Sequence, residues 1–180
     1  MDAHDLKIED DTFDVTGSQF GVTLVPDQPL ALREMVRVTK PGGRVLLIAY
    51  GSPDEFETLQ LFIAALQTVI PGFEGLPDDP PPLDFQVADP EVMRQRLIDA
   101  GLKDVVVETT HKERVEFGSG QQMWDWVLNS NPIAGMIVGD LTPEQQAGVR
   151  QVLDEMLRRR SHGTGPAVLT APLNVGVGTK

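Results

Sequence analysis

The stretch "MVRVTKPGGRVLLIAY", residues 35–50, constrains the fold more than any other. Upstream, Asp27 can cap a helix, and Pro29 falls in its first turn, where a missing N–H costs little. Leu32, Met35 and Val36 form an i, i+3, i+4 stripe flanked by Ala31 and Val38. Pro41 stops that helix, and Gly42-Gly43 allows the left-handed backbone that a tight exit needs. The run "RVLLIAY" is then apolar without alternation, as expected of a parallel strand covered on both faces. Before the helix, "FDVTGSQFGV" reads as a strand through Phe13, Val15 and Phe20, with Gly17 and Gly21 weakening its ends.

Downstream the grammar repeats. Phe56, Leu59, Phe62, Ile63, Leu66 and Ile70 share one helical face. Residues 71–88, holding "LPDDPPPLDF", are a loop by composition. Asp89 caps the next helix, Pro90 takes its first position, Met93, Leu97 and Ala100 line one face, and Gly101 stops it. "LKDVVVETTHKERVEF" is a strand with a polar tail. Two helices follow, each announced by a capping box, Ser119 with Gln122 and Thr142 with Gln145. In the second, Val149, Val152, Leu153, Met156 and Leu157 make a stripe, and Arg158 to Arg160 suit its C-terminal dipole. The last strand, "PAVLTAPLNVGVGTK", is interrupted by Pro172, which places it near an edge or bulge. Alternating strands and helices of this kind predict an α/β fold around a mostly parallel sheet.

Composition narrows the function. A formal net charge of −12 repels phosphate backbones and anionic surfaces, so nucleic acid and membrane are not expected partners. With no cysteine there is no disulfide or thiolate chemistry. His4, His111 and His162 lack ligand spacing, so no metal site is expected, and no Ser/His/Asp constellation supports a hydrolase. No run of about 18 apolar residues and no leader opens the chain, which predicts a cytoplasmic protein. No G-x-G-x-x-G follows any strand, which removes the main support for a nicotinamide-dependent enzyme.

"MDAHDL", the "FD" of the first strand and "RVTKPGGRVLL" together resemble the middle of class I S-adenosylmethionine-dependent methyltransferases, in the ubiquinone and menaquinone biosynthesis branch. "VADPEVMRQRLIDAGLKDVVVE" is similar to that family's last helix and sixth strand, and "AVLTAPLNVGVGTK" to its antiparallel seventh. The resemblance implies a Rossmann-like sheet limited to strands four to seven, with helices on both faces. The family's glycine-rich cofactor loop, which lies upstream, has no counterpart in these residues. The implied organisation is a partial core over residues 1–118, a helical cap over 119–160 and the terminal antiparallel strand over 161–180.

The resemblance also assigns roles. It implies S-adenosylmethionine as cofactor and a small-molecule acceptor. Asp2 would take an adenine amino hydrogen and the Ala3 amide would meet a ring nitrogen, the rival reading being an untethered acidic terminus. Ser18, Gln19 and Phe20 would line the cofactor, with Phe20 facing the sulfonium; alternatively Phe20 is a core residue at a strand end. Met123 and Trp124 would roof the acceptor pocket, or simply pack the core. No catalytic residue is assigned, because methyl transfer needs a base only if the acceptor must first lose a proton. The alternative function is non-enzymatic: a fragment associating through the exposed edge of the first strand, as a homodimer.

Overall fold

The structure, a computed structural model, describes residues 1–77, 79–130, 135 and 138–180. Asp78 within the expected loop, and residues 131–134 and 136–137 within the expected 119–160 cap, lie outside the described residues. Among the described residues four strands, β1 (Phe13–Gln19), β2 (Thr39–Tyr50), β3 (Lys103–Phe117) and β4 (Ala167–Thr179), form one sheet in the order β1-β2-β4-β3. The α-helices with bounds among the described residues are α1 (Gln28–Val38), α2 (Glu57–Val69), α3 (Pro90–Asp99), α4 (Gly120–Ser130) and α5 (Pro143–Arg160). β1 and β2 are parallel, and β4 runs antiparallel to β2. The chain divides into two compact units. One comprises residues 1–55, 76–113 and 171–180, the other 56–75 and 114–170.

In the first unit the Lys-Pro-Gly-Gly turn takes an unexpected form. Helix α1 ends at Val38 and Thr39 is already extended, so the chain has left the helix before Pro41. Strand pairing begins at once: Phe13 faces Thr39, but the next matched pair is Val15 with Arg44. Residues 40–43 are therefore looped out of a paired strand as a bulge. Gly42 is left-handed, at φ 78°. The C-terminal residue clasps the bulge: the Gly42 amide donates to the Lys180 carbonyl and the Lys180 amide to the Gly43 carbonyl, each at 3.0 Å. The Thr39 hydroxyl donates to the Met35 carbonyl at 2.7 Å, so Thr16 is the donor in the 2.8 Å Thr16–Thr39 pair.

β2 is not equally covered on both faces, as its apolar run suggested. Val45, Leu47 and Ala49 are fully buried, whereas Leu46, Ile48 and Tyr50 are half-buried. The buried face meets Ala31, Leu32, Met35 and Val36 of α1 and Met93 and Leu97 of α3 in one apolar cluster. Across the ladder from Val45 and Leu47 stand Gly178 and Gly176. A methyl group on Gly176 would meet Leu97 Cδ1 at 2.6 Å and Met93 Sδ at 3.0 Å, and one on Gly178 would meet Leu102 Cβ at 2.8 Å, so Gly176 makes room for α3 and Gly178 for Leu102 just beyond it. Of the edge or bulge expected at Pro172, the edge is not found, because β4 lies between β2 and β3. Pro172 sits just past the last matched pair, Tyr50 with Leu173, and its carbonyl still accepts from the Gly51 amide at 2.8 Å. Only one ladder donor is lost there, at the ladder's end.

The second unit is built on α2, α4 and α5. Its core holds Phe62 and Leu66 of α2, Met123, Trp124 and Val127 of α4, and Val149, Leu153 and Leu157 of α5. The buried face of α2 runs through Thr58, Phe62, Ala65 and Leu66, turned away from the expected Leu59 and Ile63. Thr142 and Gln145 form the full capping box of α5. At α4 only half of the expected box forms. The Gln122 amide donates to Ser119 Oγ, but the Gln122 side chain accepts from the Gly118 amide, one residue earlier than in a box. Glu57 ties α2 to α5 and to the start of β4, accepting from Arg160 at 2.5 Å and from the Thr170 amide at 2.7 Å.

Candidate functional site at the carboxyl edge of the sheet

In a parallel α/β sheet, ligands bind beyond the carboxyl ends of the strands. Here that edge is made by the ends of β1 and β2. The Phe20 amide donates to the Ile48 carbonyl at 2.9 Å, continuing the β1–β2 pairing beyond Gln19. Phe20 itself is left-handed, with φ 62°. The turn is fixed by Ser18 Oγ, which accepts from the Val22 amide at 3.0 Å, and by the Thr23 hydroxyl, which donates to the Phe20 carbonyl at 2.6 Å. The Phe20 ring stacks on Tyr50, the last residue of β2, with centroids 4.4 Å apart and planes 16° apart.

Tyr50 donates its hydroxyl hydrogen to Glu113 Oε2 at 3.1 Å. Burial first, then the charge and hydrogen bond of Glu113, then the charge of Asp84, push the phenol well above its ordinary 10.0. Tyr50 is the single tyrosine of the chain, so its ionisation can be followed alone. Phenolate absorbance is expected to develop only at strongly alkaline pH. Glu113→Gln should bring the midpoint down part of the way, since burial would remain. An unshifted wild-type titration would contradict the pairing.

The loop beside this edge is pinned by two buried polar side chains. Gln28, 1% exposed, donates to the Thr23 and Leu83 carbonyls at 3.0 and 2.9 Å and accepts from Arg96 at 3.1 Å. Asn174 donates to the Val87 and Ala88 carbonyls at 3.2 and 2.7 Å. Between these anchors lies Asp84, only 5% exposed.

The N-terminal lead is not an untethered terminus. Asp2 Oδ1 accepts from the His4 amide at 2.9 Å and lies 3.0 Å from His4 Nδ1, and Ala3 packs against the first unit's core. The His4 amide bond, chiefly, holds the Asp2 carboxyl below its ordinary range. His4 Nε2 accepts from the Asp27 amide at 3.3 Å, which sets this turn against the start of α1. Because α1 begins just after the Phe20 turn, Asp2 and Ala3 lie at the same end of the sheet as Ser18, Gln19 and Phe20. Farther along, Arg37 donates to the Leu6 and Ile8 carbonyls, both at 2.9 Å, and Glu34 accepts from the Leu6 amide at 2.8 Å.

Arg37, then the Leu6 amide, hold the Glu34 carboxyl at about 2, against an ordinary 4.5. A depressed carboxyl stabilises the fold fully above its ordinary value and loses that contribution as it is protonated. The lead should therefore loosen as pH falls from 4.5 toward about 2, read as faster exchange of the Leu6 amide. Glu34→Gln should show the faster exchange already at neutral pH. A Leu6 amide equally protected in that variant would contradict the clasp.

Met123 and Trp124 belong to the second unit, where they are 0% and 3% exposed. Trp124 is packed by the Phe62 ring, with centroids 5.9 Å apart, and lies under the Arg150 guanidinium at 5.5 Å. Among the described residues no group of three or more His, Cys, Asp or Glu side chains could hold a metal, and no helix is long and apolar enough to cross a membrane. The residues that sequence reasoning passed over at the edge are Tyr50, Glu113, Asp84 and Gln28. Only the position of Tyr50, at the end of an apolar strand, could have drawn notice.

A last strand inserted antiparallel between its predecessors, beside a parallel pair, gives a Rossmann-like fold of the kind seen in class I methyltransferases. A Bacillus halodurans protein, provisionally described as a methyltransferase, superposes with a TM-score of 0.50 at 14% identity, over 100% of this chain and 69% of that one. More narrowly, residues 1–76 match the sequence model of the ubiE/COQ5 methyltransferase family. Over 52 residues the chain is 50% identical to the ubiquinone/menaquinone biosynthesis C-methyltransferase UbiE of Idiomarina loihiensis, covering 29% of this chain and 21% of that one. It is 38% identical over 74 residues to the demethylmenaquinone methyltransferase of Bacillus licheniformis, covering 41% and 32%. The matched stretch thus spans a third or less of these curated relatives.

Proposed function

We propose that this chain carries part of the site of an S-adenosylmethionine-dependent methyltransferase acting on a small-molecule acceptor. What supports the reading is that His4 ties the turn of Asp2 and Ala3 to the start of α1, at the end of the sheet where Ser18, Gln19 and Phe20 close β1, within the stretch that matches the family. The donor set fits such a group. Asp2 spends one carboxylate oxygen on His4, and the other can accept from an exocyclic amine. The Phe20–Tyr50 stack offers an aromatic surface to a positive centre. The sulfonium supplies an already activated methyl group. The chain's own contribution is alignment: Phe20 fixed by its turn, Tyr50 by Glu113, and the flanking loop by Gln28 and Asn174. Isothermal titration of the full chain with S-adenosylmethionine tests this. Saturable heat is expected, and its absence would contradict the reading.

A second reading has its own support. β1 is a terminal strand of the sheet, and Phe13 and Val15 on it are 41% and 63% exposed. An open apolar edge is a template for strand pairing, and the occupant we infer is a second copy of the chain. Sedimentation should then show a dimer for the wild type and a monomer for Val15→Lys. A wild type monomeric at all concentrations would remove this reading.

A further inference from the structure

The last turns of α5 hold charges that the fold leaves uncommitted. Of the three terminal arginines, Arg159 lies 3.8 Å from Glu155, and Arg160 pairs with Glu57 at 2.5 Å. Among the described residues Arg158 pairs with no carboxylate, although Asp154 stands four residues before it, as Glu155 stands before Arg159. The cause is the Gly120 amide, which donates to Asp154 Oδ1 at 2.6 Å and turns the carboxylate toward α4. The other Asp154 oxygen accepts from none of the described residues.

Both side chains line one hollow of about 210 Å³. Its floor is apolar, made by Phe117 and Leu157, which are 1% and 3% exposed. Gly163 and Gly165 stand at its rim. Both are left-handed, at φ 72° and 146°, and a methyl group on either would meet nothing within 4 Å. The backbone of this turn therefore calls for glycine, and the rim carries no side chain at these two positions. A purely anionic ligand here would face Asp154, and a purely cationic one would face Arg158. A molecule with both charges satisfies both, with its carbons on the Phe117–Leu157 floor. Residues four apart lie about one helical turn apart, roughly 6 Å, close enough for an ammonium and a carboxylate borne on one carbon to reach both.

We propose that this hollow binds a small zwitterion of the α-amino acid kind, its carboxylate on the Arg158 guanidinium and its ammonium on the uncommitted oxygen of Asp154. All of these residues lie in the second unit, and none is assigned to the methyl donor. The Trp126 ring meets Phe117 edge-on, with centroids 5.6 Å apart, so its indole reports on the floor. In the full chain labelled with ¹⁵N at the indoles, the two tryptophans give two signals, and Trp126→Phe identifies the one to follow. Free L-alanine should shift the Trp126 signal saturably. Propionate and ethylammonium, each carrying one of its two charges, should bind about tenfold or more weakly. Asp154→Asn keeps an oxygen for the Gly120 amide but removes the charge, and Arg158→Gln alters an exposed side chain. Each should weaken alanine binding about tenfold. Arg158→Gln decides the matter if Asp154→Asn fails to fold. No response to alanine, an equal response to propionate or ethylammonium, or undiminished binding by a folded variant would overturn the proposal.

Discussion

Gly120→Ala is expected to destabilise the second unit more than any other single-methyl change. A Cβ there would lie 2.1 Å from the Arg150 carbonyl oxygen, 2.7 Å from the Asp154 amide nitrogen and 3.0 Å from Leu153 Cβ. Two of these atoms are backbone of α5, which cannot swing aside like the end of a side chain. The Gly120 amide also donates to Asp154 Oδ1 at 2.6 Å, so moving the helices apart would break a bond as well as open a gap. Overpacking of this severity costs about 3 kcal/mol or more, against a total stability of about 5–15 kcal/mol for an ordinary domain. The two tryptophans, Trp124 and Trp126, both lie on α4 in this unit. Their fluorescence should report a large drop in denaturation midpoint. A midpoint within the error of wild type would mean that α4 and α5 do not approach as described.

Gly43→Ala is expected to do comparable damage to the first unit. The added methyl would lie 2.7 Å from Thr39 Cγ2 and 2.8 Å from the carbonyl oxygens of Asp14 and Lys40. Those carbonyls belong to β1 and to the bulge itself, so relief means parting β1 from β2. The neighbouring glycine gives the control. Gly42 is left-handed, but a methyl there meets nothing within 4 Å, so Gly42→Ala should cost only the conformational term, about 1–2 kcal/mol. Gly43→Ala should exceed it, at about 3 kcal/mol. The single tyrosine lies in this unit and gives the readout. Equal effects at the two glycines would contradict the looped-out bulge.

What was legible in the sequence was local. Asp27, Asp89 and Thr142 each accept from an amide in the first turn of the helix they were expected to cap. A cap needs only residues a few positions apart, and the sequence displays those directly. The Lys-Pro-Gly-Gly stretch showed its left-handed glycine but not its setting, because nothing local says that strand pairing starts before it and resumes after it. Nothing local marks the purpose of Gly176 in β4, because the room it leaves is for Leu97 and Met93 on a helix far back in the chain. Pro172 pointed to an edge or a bulge because a proline removes a donor, whereas the ladder with β2 ends there.

The site was less legible for the same reason. Gln28 bonds to Leu83 and Arg96, 55 and 68 residues away, Tyr50 to Glu113, 63 away, and Asn174 to Val87, 87 away. No spacing rule links such partners. Phe20 could be singled out as an aromatic at a strand end, yet its stacking partner and its backbone strain belong to the folded chain.

The central claim is that the ends of β1 and β2 are where the ligand of this fold sits. The most direct measurement is a titration of ¹³C-tyrosine-labelled full chain with S-adenosylmethionine, watching Tyr50 alone. A saturable change of the Tyr50 signals, following the same curve as the calorimetric heat, is expected. Heat of binding with the Tyr50 signals unmoved would place the ligand elsewhere and contradict the claim.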